Sequence, residues 1–408
     1  MKQFLQIALG ILSAIGGFVD IGDLVFNTQA GATFGFQLLW VVVIGVVGII
    51  VYSEMCGRVA AISKRPVFDL VRERVGFSAG LGTLVASEVV NLLTCAAEVG
   101  GVAIVLKLLS GLPYRALILL GVVGVVVISW VLPFEWLERL FGYLGLCLLV
   151  FAVAAVKLHP QWGQVAHGFV PGMPAHNHAV YLYFVVGLLG AALTPYEVYF
   201  YSSGAVEDGW GPKDLRINKI TAVIGYGLGA FLSFSLMIVA AVLFLPRGID
   251  PQFLGTPALG AADALGKIGL LLALVGILFA VGGAAIETSF SGAYNVAQFF
   301  GWQWGKRRKP SGAPRFALSW IVIFVLALGI VMTGYDPVKI TEYSVIFSVV
   351  ALPLTFLPIL LVANDPTYMG RHTNSRLSNV LGIVYFVLIL AIAVSAIPLM
   401  VITNGGQG

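Results

Sequence analysis

The stretch Gly16-Gly17-Phe18-Val19-Asp20-Ile21-Gly22-Asp23 decides how this chain is read. It sets two carboxylates and three glycines in the middle of an apolar run spanning about residues 5–30, with Asn27 just beyond. An ionisable side chain at mid-membrane costs at least ~2.5–3.5 kcal/mol on insertion scales, so it marks a functional site by default. Glycine loosens the helix there, and an unwound stretch offers backbone carbonyls as further ligands. Irregular backbone at that depth survives only where it lines a polar cavity. Two carboxylates three residues apart beside free carbonyls make an oxygen site for a hard cation. A simple kink, with the acids protonated or paired, is the plainer alternative.

The rest of the chain supplies the membrane. Of 408 residues 59% are hydrophobic and 10% charged, and the mean hydropathy is +0.98. A soluble domain carries roughly a quarter charged residues, so lipid must be the solvent for most of this sequence. Eleven apolar runs are long enough to span: 5–30, 36–60, 79–108, 115–132, 137–156, 179–204, 219–245, 267–300, 316–334, 341–363 and 378–402. The connections leave no room for a soluble domain, so residues 1–408 read as one transmembrane unit. Met1-Lys2 and the apolar residues to Ile15 have the look of a signal peptide, but the run continues into a patterned segment and reads better as a whole span.

The net charge of +4 is too small to suggest nucleic acid, and no obligate protein partner is evident. Cys56, Cys95 and Cys147 lie in apolar stretches and form neither a disulfide framework nor a zinc site. His159, His167, His176 and His178 share the 157–178 loop without ligand spacing and read as solvated. Glu54 reads as a partner of Arg58. Most Lys and Arg, including Arg58, Lys64, Arg65, Arg72, Arg74 and the run Lys306–Lys309, fall on one side of the membrane. Lys107, Arg115, Lys157, Arg247, Lys267 and Lys339 fall on the other. The bias predicts a cytoplasmic N-terminus and an outer C-terminus.

The sixth run repeats the theme of the first. In Gly190-Ala191-Ala192-Leu193-Thr194-Pro195-Tyr196-Glu197, Pro195 removes a backbone donor, so the helix should break near Ala191–Thr194 with Glu197 just past the break. Two interrupted helices, first and sixth, point to two inverted five-helix repeats (about 5–156 and 179–363) with a site at their interface and an extra helix at 378–402. In the third run Glu88, Asn91, Cys95 and Glu98 share one polar stripe, suited to an ion or proton pathway or to bonding between helices. Glu287, in the eighth run, has the same two readings.

At these residues the sequence resembles the Nramp family of divalent-metal transporters. Its first-helix Asp-Pro-Gly-Asn corresponds to Asp20-Ile21-Gly22-Asp23, and its Ala-Gly-Ala and Leu-Leu-Trp to Ala30-Gly31-Ala32 and Leu38-Leu39-Trp40. The sixth-helix motif is similar to Gly190 through Ser203. Glu88 and Glu98 match family acids, and Met369-Gly370 with Asn374-Ser375-Arg376-Leu377 match a family loop. The resemblance runs from about residue 8 to 390. It implies an all-α integral membrane protein of the leucine-transporter (LeuT) type, working by alternating access around a metal held between unwound helices.

The departures from the family are specific. Its metal-binding methionine is Thr194, the asparagine of the first motif is Asp23, its proline is Ile21, and His-Asn after the sixth-helix proline is Tyr196-Glu197. Family glutamines fall on Val345 and Glu287, and an acid one turn before Glu98 is Cys95. Replacing a thioether by a hydroxyl in an acid-rich site favours magnesium, calcium or manganese over softer metals, as in the Nramp-related magnesium transporters. The expected metal ligands are Asp20, Asp23, Glu197, Thr194 and the carbonyls of Val19 and Ala191. The expected pathway groups are Glu88, Cys95, Glu98, Glu287 and Tyr196.

Cys95 and Tyr196 replace groups that titrate near neutral pH, which favours uptake driven by the membrane potential over proton symport. The sequence therefore reads as a prokaryotic inner-membrane importer of magnesium, with a proton-coupled manganese or iron importer as the alternative. No cofactor is implied beyond the transported ion. An organic-solute transporter of the same fold would have its substrate carboxylate repelled by the two aspartates. An intramembrane metalloenzyme would need His-Glu-x-x-His spacing, which is absent from the sequence.

Overall fold

The computed structural model describes residues 19–407; the first part of the predicted 5–30 span, including Gly16-Gly17-Phe18, lies outside them. The first described helix, α1 (Ile21–Phe34), begins directly after Asp20 and is only 14 residues long. That is about 21 Å, too short to cross the bilayer alone. Ten further segments are long and apolar enough to span. Among the described residues they are α2 (Leu39–Ser63), α4 (Phe77–Ser110), α5 (Tyr114–Val131), the pair α6 (Phe134–Gly145) and α7 (Leu149–Lys157), the pair α9 (His178–Ala192) and α10 (Pro195–Glu207), α11 (Leu215–Leu243), α12 (Thr256–Phe300), α13 (Pro314–Met332), α14 (Pro337–Ala363) and α16 (Arg376–Ile402).

Several predicted runs differ in detail for local reasons. The fifth is α6 (Phe134–Gly145) and α7 (Leu149–Lys157), joined by a tight 3-10 turn at Leu146–Leu148. The sixth is α9 (His178–Ala192) and α10 (Pro195–Glu207), so its break falls on Leu193 and Thr194. Pro195 has no N–H to offer the Ala191 carbonyl, and its fixed φ suits the first position of a new helix. The eighth, predicted over 267–300, is preceded by a short stub from Thr256, and Gly266 (φ +64°) breaks the path between the stub and the long helix at the predicted start. Three short helices went unpredicted: the surface helix α3 (Val67–Val75), α8 (Trp162–His167) in the histidine loop, and α15 (Pro366–Met369). His178 is the first residue of α9 rather than a loop residue.

α1 and the interrupted α9–α10 pair pack tightly on their neighbours because glycines permit close backbone approach. A Cβ at Gly31 would collide with the Met237 carbonyl of α11, and one at Gly190 would collide with Val349 of α14. The outer helices carry the lipid face: Leu119, Val123 and Val127 of α5 and Val380, Ile383, Val387 and Val394 of α16 are exposed. Connections predicted to share a side do meet. Arg74 pairs with Asp365 at 2.8 Å, Lys306 with Glu138 at 2.7 Å and Arg307 with Asp208 at 2.7 Å. Arg58 pairs with Glu54 at 3.1 Å, as the sequence suggested. An apolar outer face around a buried polar interior that holds the interrupted α9–α10 pair fits the LeuT-type fold that the resemblance implies.

Candidate metal centre

The start of α1 is built by its own acids. Asp20 is the N-cap, and its Oδ1 accepts from the Asp23 backbone N–H at 2.9 Å. The cap satisfies one orphan amide, and the positive end of the helix favours both carboxylates. A second acid holds the same end from another helix: Glu98 of α4 accepts from the Ile21 N–H at 3.0 Å through Oε1. Its Oε2 is buried and has no hydrogen-bond partner. Val19 and Asp20 lie ahead of the helix and are buried.

The start of α10 has the same spacing. Thr194 is the N-cap and Glu197 lies in the first turn, as Asp20 and Asp23 do in α1. The bonding differs. Thr194 Oγ1 donates to Glu197 Oε2 at 3.0 Å, and Glu197 Oε1 is buried with no hydrogen-bond partner. Tyr196, between them, donates its hydroxyl to Asp20 Oδ2 at 3.2 Å and so ties the two breaks together. Its carbonyl accepts from Ser291 of α12 at 2.8 Å.

A small cavity of about 10 Å³ lies between the start of α1 and the break that joins α9 to α10, room for about one water or one bare cation. Its polar lining is Asp20 with the hydroxyls of Thr94, Thr194, Tyr196, Thr341, Ser344 and Ser348; sulfur and imidazole are absent from it. Thr94 and Ser344 are hydrogen-bonded to each other at 2.7 Å.

Of the predicted ligands, Asp20 and Thr194 line this cavity and Asp23, Glu197, Val19 and Ala191 do not. Asp23 turns toward α11, where Oδ2 accepts from Ser233 Oγ at 2.6 Å and Oδ1 from Asn27 Nδ2 at 2.7 Å. Among the described residues no three His, Cys, Asp or Glu side chains gather as a metal cluster. Of the predicted pathway groups, Tyr196 lines the cavity, while Glu98 abuts it through Ile21. Cys95 faces the Ala285 carbonyl at 4.0 Å. Glu88 lies against Gly292 of α12, away from the cavity. Glu287 is buried and is not among the residues lining the cavity.

No Lys or Arg pairs with Asp20, Asp23, Glu98 or Glu197 among the described residues. Buried charge without a partner is costly, and a bound cation is one way to supply the missing counter-charge. The comparisons bear on this directly. The family described as natural resistance-associated macrophage protein-like, Nramp, matches residues 10–398. The chain belongs to the Nramp family.

Its relatives include two proteins named divalent metal cation transporter MntH. That of Aeromonas hydrophila subsp. hydrophila is 28% identical over 417 residues, covering 96% of this chain and 95% of that protein. That of Deinococcus radiodurans is 25% identical over 399 residues, covering 92% and 85%. Among solved structures, the Eremococcus coleocola manganese transporter bound to an aromatic bis-isothiourea compound superposes with a TM-score of 0.81 at 20% identity, covering 97% of this chain and 86% of that one. Within this Nramp frame, sequence reasoning missed a polar pair beyond the cavity. Glu342 of α14 is buried and accepts from Gln29 at 3.0 Å and from Lys339 at 2.9 Å. The signal was there: a glutamine in the first apolar run, and an acid three residues after a lysine at the head of the tenth.

Proposed function

We propose that the protein carries a hard divalent cation across the bacterial plasma membrane by alternating access, with magnesium as its preferred cargo. One observation carries the reading: carboxyl groups buried at the start of α1 and at the start of α10, without a cationic side chain paired to them among the described residues, beside a cavity whose polar side chains all carry oxygen. Asp20 and Thr194 would meet the ion first, with Tyr196 passing the effect of occupancy from one break to the other. Asp23, Glu197 and the Val19 and Ala191 carbonyls would join when α1 and α10 rock. Hydroxyls and a carboxylate suit magnesium, which prefers oxygen and keeps several of its waters. The cavity holds about one water, so a partly hydrated ion enters only when the breaks part. Transport is driven by the membrane potential, with the N-terminus cytoplasmic and the C-terminus outside.

Manganese is the second reading, favoured by the likeness to a protein named as a manganese transporter. Metal uptake into proteoliposomes, comparing magnesium with manganese and using Asp20→Ala as the control, separates the two. Magnesium flux that manganese competes for, lost in the variant, is the expected result. Manganese flux without a magnesium response would overturn the magnesium assignment. Flux of either metal that survives Asp20→Ala would overturn the site. About one proton moved per metal would overturn potential-driven uptake.

A further inference from the structure

The basic run between α12 and α13 divides into two kinds of cation. Lys306 is folded inward: its Nζ lies 4.2 Å from the Phe134 ring centroid and 5.1 Å from that of Phe200, and pairs with Glu138 at 2.7 Å. Arg307 is taken up by Asp208 at 2.7 Å and Glu135 at 3.6 Å. Arg308 and Lys309 are exposed, and neither pairs with a carboxylate among the described residues.

These two unpaired cations stand at the rim of a cavity of about 400 Å³, between the end of α5, the start of α6 and the first turns of α13. Its floor is aromatic. The Trp130 and Trp320 rings lie 6.2 Å apart and Phe290 sits 5.3 Å from Trp320. Trp130 is 50% exposed, so this wall opens outward at the end of a lipid-facing helix. Tryptophan at that level is a mark of the membrane interface.

A free phosphate would gain nothing from this floor, and a neutral lipid nothing from the rim. From this charge complementarity we infer that the cavity binds an anionic phospholipid of the bilayer, its phosphate between Arg308 and Lys309 and an acyl chain over Trp130 and Trp320. Basic pockets between membrane helices are suited to such headgroups. The inference does not depend on which metal is carried.

The test is native mass spectrometry of the full protein released from nanodiscs of phosphatidylcholine with phosphatidylglycerol, counting retained lipid. The wild type should keep phosphatidylglycerol in preference to phosphatidylcholine. Each juxtamembrane cation is worth about fivefold in affinity, so Arg308→Gln with Lys309→Gln should weaken retention about 25-fold. Both side chains are exposed, and an unchanged thermal midpoint confirms that the variant is folded. Lys213→Gln with Lys219→Gln removes equal charge from two other exposed positions on the same side and should leave retention at the wild-type level. Trp130→Ala should also lower it. Equal retention by the Arg308/Lys309 variant, an equal loss in the Lys213/Lys219 variant, or displacement of the lipid by glycerol phosphate would each overturn the assignment.

Discussion

Glu98 offers the sharpest test of how the start of α1 is held. It is fully buried, Oε1 takes the Ile21 N–H at 3.0 Å, and Oε2 has no partner. Ile21 is the first residue of α1, so Glu98 supplies from α4 an acceptor that the helix cannot supply for itself. Glu98→Ala leaves a buried amide unsatisfied, at a cost of ~1–3 kcal/mol. The population in which α1 starts correctly should then fall roughly 5- to 150-fold, taking ~1.4 kcal/mol per factor of ten. Glu98→Gln keeps a carbonyl for Ile21, and a neutral bond is about half as strong as a charge-assisted one, so the loss should be near ~1 kcal/mol, or roughly fivefold. The assay is metal uptake into proteoliposomes for all three proteins, with thermal midpoints in detergent alongside. The expected order in both readouts is wild type, then Gln, then Ala. If Gln is as inactive as Ala while keeping the wild-type midpoint, the negative charge rather than the bond is what transport needs. Glu98 would then be part of the ion's route, and the capping argument would fail.

Three further predictions address other parts of the molecule. Thr194→Met puts a thioether where the cavity has a hydroxyl and should shift competition toward manganese or cadmium; unchanged selectivity in a competition uptake assay would count against the oxygen-site argument. Lys306→Met strips Glu138 of its partner in a nearly enclosed site, and breaking such a pair costs ~3–5 kcal/mol; a thermal midpoint equal to the wild type would show the cage to be dispensable. Hydrogen bonds from Arg65 hold the Glu73 carboxyl below its ordinary value of 4.5, so its contribution is present above 4.5 and is lost as pH falls through the lower folded value. The group is mostly exposed, which limits the term to ~0.2–1 kcal/mol. Arg65→Ala should therefore lower the midpoint slightly at pH 7, by an amount that shrinks as pH falls through the lowered folded value, and a gap that does not narrow in acid would remove Glu73 from the explanation.

What was legible in the sequence was whatever acts through covalent neighbours. Pro195 cannot donate to Ala191, and acids stand out in an apolar run, so the break before α10 and the buried carboxylates could be read from spacing alone. The direction each carboxylate faces depends on distant partners. Asp23 turns to Ser233, Glu98 to Ile21 and Glu342 to Gln29, and no local pattern encodes those meetings. The surface helix α3 escaped notice for another reason: it is short and charged, and a search for apolar runs passes over it.

The starts of α1 and α10 also show how far equal spacing can carry. Asp20-x-x-Asp23 and Thr194-x-x-Glu197 each place an oxygen at the N-cap and an acid in the first turn. In α1 the cap oxygen takes a backbone amide, and both Asp23 oxygens are supplied with donors. In α10 the cap hydroxyl is turned onto the acid itself, and one Glu197 oxygen is left without a donor. The matched spacing thus yields unequal demand for positive charge. On the metal site proposed above, a cation would be drawn to Asp20 and to the unpartnered Glu197 oxygen, and the Tyr196 hydroxyl is bonded to Asp20. Tyr196→Phe should therefore change the apparent affinity for metal more than the maximal flux. Equal losses in both would show that the hydroxyl holds the fold rather than the path between the breaks.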